Sequence, residues 1–189
     1  AVYYIGPIFT AFRGTPEASQ FYSLLRQEID ERVRLGKGPI TPDGEMGEEK
    51  YRLVTEGPPN WTSFRDFWKM FYDEGAVVVA STYSKVGGLY DFGFRHDADH
   101  PLESLADYCL GCYTNLNLPS RIDMICKYID EYQADGLLIN SIKSCNSFSA
   151  GQLLILREVE TRPGKRAACI GTGRVAPRYF SAANVKNRL

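Results

Sequence analysis

The stretch Ala134-Asp135-Gly136-Leu137-Leu138-Ile139-Asn140-Ser141-Ile142-Lys143-Ser144-Cys145-Asn146-Ser147-Phe148-Ser149-Ala150-Gly151-Gln152 decides how the rest of the chain is read. Gly136 to Ile139 is a short apolar run bounded by turn residues, the pattern of a buried strand. Small and polar residues follow, carrying one cysteine, and Gln152 to Glu160 reads as a helix. The spacing predicts a strand, a short loop and a helix N-terminus, with Cys145 at the carboxyl end of a parallel strand. Open α/β sheets gather their ligands at that edge. The free N–H groups and positive dipole end of a helix would favour a thiolate there. A plainer reading stands beside it, in which Cys145 is a small buried apolar residue, since free cysteines are commonly inert.

The 189 residues make one domain of ordinary size or most of two small ones, enough to bury a real core. Hydrophobic content of 44% and a net charge of -1 describe a globular chain without polyelectrolyte character. No basic stripe points to nucleic acid, and no apolar run approaches the ~18 residues of a membrane span. Residues 1–7 carry neither an initiator Met nor a charged-then-apolar signal pattern, and they read as the middle of a longer polypeptide. The cysteines at 109, 112, 126, 145 and 169 form an odd set without framework spacing, which points to a reducing, cytoplasmic compartment.

Working outward, Val2 to Ile5 is a candidate strand stopped by Gly6-Pro7. Thr15-Pro16-Glu17 opens a helix in which Phe21, Leu24, Leu25, Ile29 and Val33 recur at helical spacing, with Gly36 as the stop. Gly36 to Glu49, rich in Gly, Pro and acids, reads as a loop. Tyr51 to Thr55 is a strand that runs into Glu56-Gly57-Pro58-Pro59-Asn60-Trp61, where two prolines forbid helix and hold Asn60 and Trp61 on a stiff turn. Thr62 or Ser63 then caps a helix bearing Phe64, Phe67, Trp68, Met70 and Phe71. Trp61 suits either that aromatic core or a pocket wall.

Gly75 to Ala80 is the plainest strand, apolar enough to be buried on both faces, and it feeds the polar loop Ser81 to Gly88 at the same rim. Tyr90 to His100 is irregular. His96 and His100 among aspartates offer metal-ligand types, although such a stretch also reads as a solvated loop. Pro101 starts a helix into Cys109, and Pro119 to Tyr132 is amphipathic, with Ile122, Ile125, Ile129 and Tyr132 on one side. Ala167 to Ile170 is a further strand and Tyr179 to Leu189 looks helical. The alternation predicts an α/β fold, with layered helices around a mainly parallel sheet. Residues 1–45 read as a helical and irregular connecting segment, and 46–189 as the α/β domain that carries the Ser144-Cys145 loop.

Two local motifs are discounted. Cys109-Leu110-Gly111-Cys112 lacks the second pair that structural zinc needs, and a helix rather than a strand precedes it, against thiol redox use. Gly171-Thr172-Gly173-Arg174-Val175-Ala176 matches a dinucleotide fingerprint on paper, but Pro177 falls where the first helix should begin.

A third set of motifs is more specific. Ser144-Cys145-Asn146-Ser147-Phe148-Ser149-Ala150-Gly151-Gln152 and Gly111-Cys112-Tyr113-Thr114-Asn115-Leu116 resemble the benzoyl-CoA reductase and 2-hydroxyacyl-CoA dehydratase family. The likeness extends from Tyr3-Tyr4-Ile5-Gly6-Pro7-Ile8-Phe9 through Glu56 to Trp61 and on to Pro177-Arg178-Tyr179-Phe180, nearest the benzoyl-CoA reductase branch.

The resemblance implies a flavodoxin-like sheet and a [4Fe-4S] cluster, one per full-length subunit, with Cys145 as one of three cysteine ligands and the other two outside this chain. Ser144, Ser147 and the N–H groups from Ser149 to Gln152 would be donors around the sulfur. Asn60, Trp61 and the Ser81 to Gly88 loop would wall the substrate pocket. The implied reaction is the ATP-dependent two-electron reduction of benzoyl-CoA to a cyclic diene. Implied partners are a homologous second large subunit, ATP-hydrolysing iron–sulfur activator subunits, and a ferredoxin as electron donor. Relatives carry an acidic Glu-x-Asp-x-x-Asp stretch where this chain has Gly171 to Ala176. Two rivals stand: a 2-hydroxyacyl-CoA dehydratase subunit, which eliminates water, and a non-catalytic flavodoxin-like binding module with Cys145 merely buried.

Overall fold

A computed structural model of the chain describes residues 15–40, 46–85, 97, 99–172 and 181–188. The readings made on Val2–Ile5, His96, Val86–Gly88 and Gly173–Ala176 lie outside the described residues. Helix α1 (Pro16–Leu35) begins behind Thr15 with proline in its first turn, and it ends at Gly36, whose φ of +63° is the left-handed stop that glycine supplies. Gly36 to Glu49, expected as a loop, instead forms an antiparallel pair of β1 (Lys37–Ile40) and β2 (Met46–Glu48). Pro39 hid it. A two-stranded pair has only edges, where a missing N–H is tolerated, so the Gly and Pro content that argues against a strand does not prevent this one.

The main sheet contains β3 (Tyr51–Glu56), β4 (Ala76–Ser81), β5 (Gly136–Ile142) and β6 (Arg166–Thr172) in the order β4-β3-β5-β6, and every pairing is parallel. The helices between them are α2 (Phe64–Asp73), α3 (Pro101–Leu110), α4 (Leu118–Glu131) and α5 (Gln152–Thr161), with α6 (Ala182–Lys186) after β6. Taken in chain order, the four strands run second-first-third-fourth across the sheet, the flavodoxin-like winding. Asp135 locks the entry of β5 to β3, its N–H donating to the Arg52 carbonyl and its carboxylate accepting from the Arg52 N–H, both at 2.8 Å.

Strand parity splits the core into two layers. Val54, Leu137 and Ile139 face the helices α4 and α5, packing with Ile125, Ile129, Ile155 and Val159. Leu138 faces the other side, against Phe67, Trp68 and Phe71 of α2 and Val185 of α6. The expected buried face of Pro119 to Tyr132 is realised, with Asn117 as the cap, its Oδ1 accepting from the Ser120 N–H at 2.9 Å. β4 differs from expectation: it is the outermost strand among those described, and Val77, Val78 and Val79 are only half-buried.

At Gly57 the chain crosses β5 so closely that a Cβ would lie 2.5 Å from the Asn140 carbonyl oxygen, and φ is +91°. Gly57→Ala in the intact protein is expected to cost roughly 2–4 kcal/mol, well above the ~1 kcal/mol of left-handed strain alone. Gly164→Ala is the control, since its φ is +66° but nothing lies within 4 Å of its Cβ position. Urea midpoints measure both, and equal losses would mean that the close approach contributes nothing.

Candidate functional site

The chain leaves β3 for β4 on one side and returns to β5 on the other, so the carboxyl ends of β3 and β5 flank the topological switch point. Two connections meet there: residues 57–63 after β3, and residues 143–151 after β5.

The first is held from beneath. The Asn140 amide donates to the Pro58 carbonyl, and the Gly57 N–H donates to Thr82 Oγ1 at 3.3 Å. Asn60 is 0% exposed, and its Oδ1 accepts from Thr62 Oγ1 at 2.8 Å and from the Ser63 N–H at 3.3 Å. Ser63 holds the N-cap position of α2, as expected, but makes no side-chain cap bond, and its own N–H is met by Asn60. Trp61 is 45% exposed, stacks on Phe64 at 5.7 Å and meets Tyr83 edge-on at 6.2 Å. The two residues expected on a pocket wall thus part: Asn60 is interior and Trp61 stands at the rim.

The second connection carries Cys145. Its N–H donates to the Ile142 carbonyl at 3.0 Å, and its own carbonyl accepts from the Phe148 N–H at 3.2 Å and Ser149 Oγ at 2.8 Å. The thiol is half-buried and packs against the α4–α5 side of the core. β5 runs to Ile142, three residues beyond the expected apolar run. A 3₁₀ turn, Asn146–Phe148, follows Cys145, and α5 starts only at Gln152 behind Gly151, whose φ is +79°. Cys145 therefore lies before a short turn and not in the first turn of the helix, and the dipole argument weakens because that effect fades within one turn. Ser144 and Ser147 are exposed beside the sulfur's turn, whereas Gln152 is buried.

Beneath the turn lies a carboxyl group that sequence reasoning passed over. Glu56, last residue of β3, is 1% exposed. Its Oε1 accepts from the Tyr113 hydroxyl at 3.2 Å and its Oε2 from Gln152 Nε2 at 3.4 Å. Burial pushes the Glu56 carboxyl up to about 7, against the opposing pull of the Tyr113 and Gln152 hydrogen bonds and the Arg121 charge. Burial, with Glu56 beside it, drives the Tyr113 phenol far above its usual range. Gln152 Nε2 also donates to the Phe148 carbonyl at 2.6 Å. Arg121 stacks 5.1 Å over the Tyr113 ring and donates to the carbonyls of Ser147 at 2.7 Å, Thr114 at 2.8 Å and Leu116 at 3.2 Å. The available signals were an acid directly after an apolar strand and an arginine one turn ahead of Ile125 on a buried helix face.

Cys109 is exposed, Cys112 is half-buried with its thiol 3.7 Å from the Tyr108 carbonyl, and Cys126 and Cys169 have thiols pushed up by burial. His100 pairs with Asp97 at 3.0 Å on the surface. Among the described residues no group of three or more His, Cys, Asp or Glu converges to hold a metal. Cys145 offers a half-buried thiol on a polar turn. That suits one corner of an iron–sulfur cluster whose other ligands would lie outside the described residues. On the other flank of the turn, Lys143, Ser181, Asn184 and Arg188 line a cleft of about 270 Å³ with Ile170, Gly171 and Val185. No helix among the described residues is long and apolar enough to cross a membrane.

These features define a flavodoxin-like α/β protein with a cysteine-bearing turn at its switch point. The family model described as 2-hydroxyglutaryl-CoA dehydratase, D-component, matches residues 1–189, and the chain belongs to that family. It is 75% identical over 188 residues to a benzoyl-CoA reductase subunit of Thauera aromatica, a match that covers all of this chain and 44% of that protein. It is 25% identical over 182 residues to the (R)-2-hydroxyisocaproyl-CoA dehydratase alpha subunit of Clostridioides difficile, covering 96% of this chain and 42% of the relative. The chain thus spans less than half the length of these curated relatives.

The buried acid has a consequence for stability. Unfolded, Glu56 titrates near 4.5; folded, it keeps its proton until about 7. Below 4.5 both states are protonated and nothing is lost. Between the two values the folded state binds more protons, so stability falls as pH rises, by about 3 kcal/mol in all, and levels off above the folded value. In Glu56→Gln, which keeps the shape and cannot ionise, that part of the decline should vanish. Urea unfolding of both proteins at pH 4.5, 6 and 8 measures it, and parallel stability curves would show that Glu56 titrates as an ordinary carboxyl.

Proposed function

We propose that this chain forms part of a large subunit of a benzoyl-CoA reductase, in which ATP hydrolysis drives the two-electron reduction of benzoyl-CoA to a cyclohexadiene-carboxyl-CoA. The observation that carries the reading is the 75% identity to the Thauera aromatica reductase subunit over the whole chain, three times the identity to the dehydratase subunit. Cys145 would give one thiolate to a [4Fe-4S] cluster, which when bound supplies one-electron reduction at low potential. Partners would be a homologous second large subunit, ATP-hydrolysing iron–sulfur activator subunits and a ferredoxin; the compartment would be the cytoplasm.

The chain's own residues have distinct tasks in this reading. The Trp61 ring, backed by Phe64 and flanked by Tyr83, offers an apolar edge against which a planar acyl group can rest. Asn60 keeps that edge in place from the interior, holding Thr62 and the N–H of the Ser63 cap. The cleft with Lys143 and Arg188 presents cationic side chains suited to the anionic part of a CoA thioester. Ser144 and Ser147 bring hydroxyls to the Cys145 turn, and Gln152 acts on it through the Phe148 carbonyl.

The family description favours one other reading, a 2-hydroxyacyl-CoA dehydratase subunit. The 75% identity to a reductase subunit argues against a non-catalytic module. The test is iron content and turnover of the complete subunit with its partners, as wild type and as Cys145→Ser. The expected result is about four irons per subunit and diene formation from benzoyl-CoA, both lost in the variant. Retention of iron and turnover in Cys145→Ser would remove Cys145 from the site, and water elimination from a 2-hydroxyacyl-CoA without diene formation would favour the dehydratase.

A further inference from the structure

Two consecutive carbonyls in the turn after Cys145 are gripped by side chains that both lead back to Glu56. Gln152 Nε2 holds the Phe148 carbonyl at 2.6 Å and donates to Glu56 Oε2 at 3.4 Å. Arg121 holds the Ser147 carbonyl at 2.7 Å and lies on the ring of Tyr113, whose hydroxyl donates to Glu56 Oε1 at 3.2 Å. We propose that Glu56 is a positioning residue for Cys145, setting the 146–148 turn through Gln152 on one side and through Tyr113 and Arg121 on the other, so that the turn adopts a different arrangement for each charge state of Glu56. The proposal rests on the reading of Cys145 as the working thiol of this site.

The donor and acceptor inventory explains why the charge state matters. An ionised Glu56 accepts from both neighbours and leaves the grip as observed. Taking up one proton from solvent turns one carboxyl oxygen into a donor. An –NH2 group cannot accept, so an O–H on Oε2 that points at Gln152 is met only when the Gln152 amide flips, which releases the Phe148 carbonyl. A proton on Oε1 makes the Tyr113 oxygen the acceptor and turns its O–H away, toward Thr82, its other hydrogen-bonding neighbour. The Oε2 case rebuilds the Gln152 arm, while the Oε1 case loosens the hold on the Tyr113 ring that Arg121 lies on and leaves the Ser147 bond itself in place. An amide at position 56 would satisfy two neutral neighbours without the cost of burying an ionisable group, and the titration of this carboxyl near neutrality places both states within reach.

The charged and titratable groups around Glu56 are few among the described residues. Tyr113 lies ahead of α4, Arg121 is on α4, and Cys169 on β6 feels the Glu56 charge. α5 presents the neutral Gln152, and the turn after β4 presents the neutral Thr82 to Tyr113.

Thiol reactivity tests the proposal without depending on iron. The complete subunit, freed of metal, is pulsed with iodoacetamide from pH 5.5 to 9, and each cysteine is quantified by peptide mass spectrometry, with the exposed Cys109 as reference. In the wild type the Cys145-to-Cys109 rate ratio should step severalfold through pH about 7, where Glu56 changes charge. In Glu56→Gln the ratio should be flat while cooperative unfolding is retained. Arg121→Lys, which keeps the charge but loses the fork, should raise Cys145 labelling at every pH and keep the step. A wild-type ratio without a step, or a step that survives in Glu56→Gln, overturns the proposal. Iron content of Cys145→Ser separates this from the ligand reading: a step with iron unaffected supports the Glu56 role and sinks Cys145 as a ligand, while a flat ratio with iron lost does the reverse.

Discussion

A carboxyl group enclosed at the end of a central strand sets the terms for everything packed around the crevice. Glu56 points to the α4–α5 side by the same strand parity that sends Val54 there, into a layer otherwise filled by Ile125, Ile139 and Ile155. Such a group is costly unless hydrogen-bonded, and here Tyr113 and Gln152 answer it. Tyr113 is itself fully enclosed and is held by Arg121 on one face and Phe148 on the other, with ring centroids 6.1 Å apart for the aromatic pair. The remaining donors of Arg121 must also be met, and three backbone carbonyls from two connections meet them. Each partner in the series is buried because the one before it is. Removing any of them strands a donor or acceptor in a dry layer, so the group behaves as a unit and not as separate bonds.

The opposite face of the same strands does a different job. Thr55 and Leu138 point toward α2, and with Gly57, Pro59, Phe67, Trp68 and Asn140 they enclose a void of only about 10 Å³. That is room for little more than one water. The Pro58 carbonyl is pinned by Asn140, and Gly57 passes too near the Asn140 carbonyl to tolerate a side chain. The connection after β3 is therefore fixed from the α2 side, while the connection after β5 is fixed from the α4–α5 side. The two loops answer to two layers of the core, and Thr82 and Tyr83 join them, Thr82 holding Gly57 and meeting Tyr113 while Tyr83 touches both Trp61 and Phe148.

What could be read in the sequence follows from how local the signal is. The long amphipathic helix over Ile122 to Ile129, the apolar run opening at Gly136 and the proline-stiffened turn at residues 57–61 announce themselves within a few residues, and those elements stand where expected. The pairing of β1 and β2 was hidden by glycine and proline, and the outermost place of β4 among the described strands was hidden because apolar composition does not say how many strands lie alongside. Cys145 could be placed after a strand, but the 3₁₀ turn between it and α5 has no sequence period to give it away. Glu56 was invisible as a site because its partners stand at positions 113, 121 and 152, and only the parallel winding brings them together. Cysteine draws the eye as a reactive type, whereas a glutamate after a strand does not.

The rim and the floor of the crevice bear differently on chemistry. A fold of this kind does not choose a reaction, and the relatives include both a reductase subunit and dehydratase subunits. A floor made of a thiol-bearing turn gripped by Arg121 and Gln152 would serve either, since it fixes backbone and charge without touching an acyl group. In the proposed reading, selectivity falls to groups outside that turn. At the rim these are the half-exposed Trp61 with Tyr83 edge-on to it, and the cleft lined by Lys143 and Arg188 on the far flank of the Cys145 turn. In the proposed reading, an aromatic rim of this kind suits a flat aromatic acyl group better than a branched hydroxyacyl chain, because ring contact is what it offers.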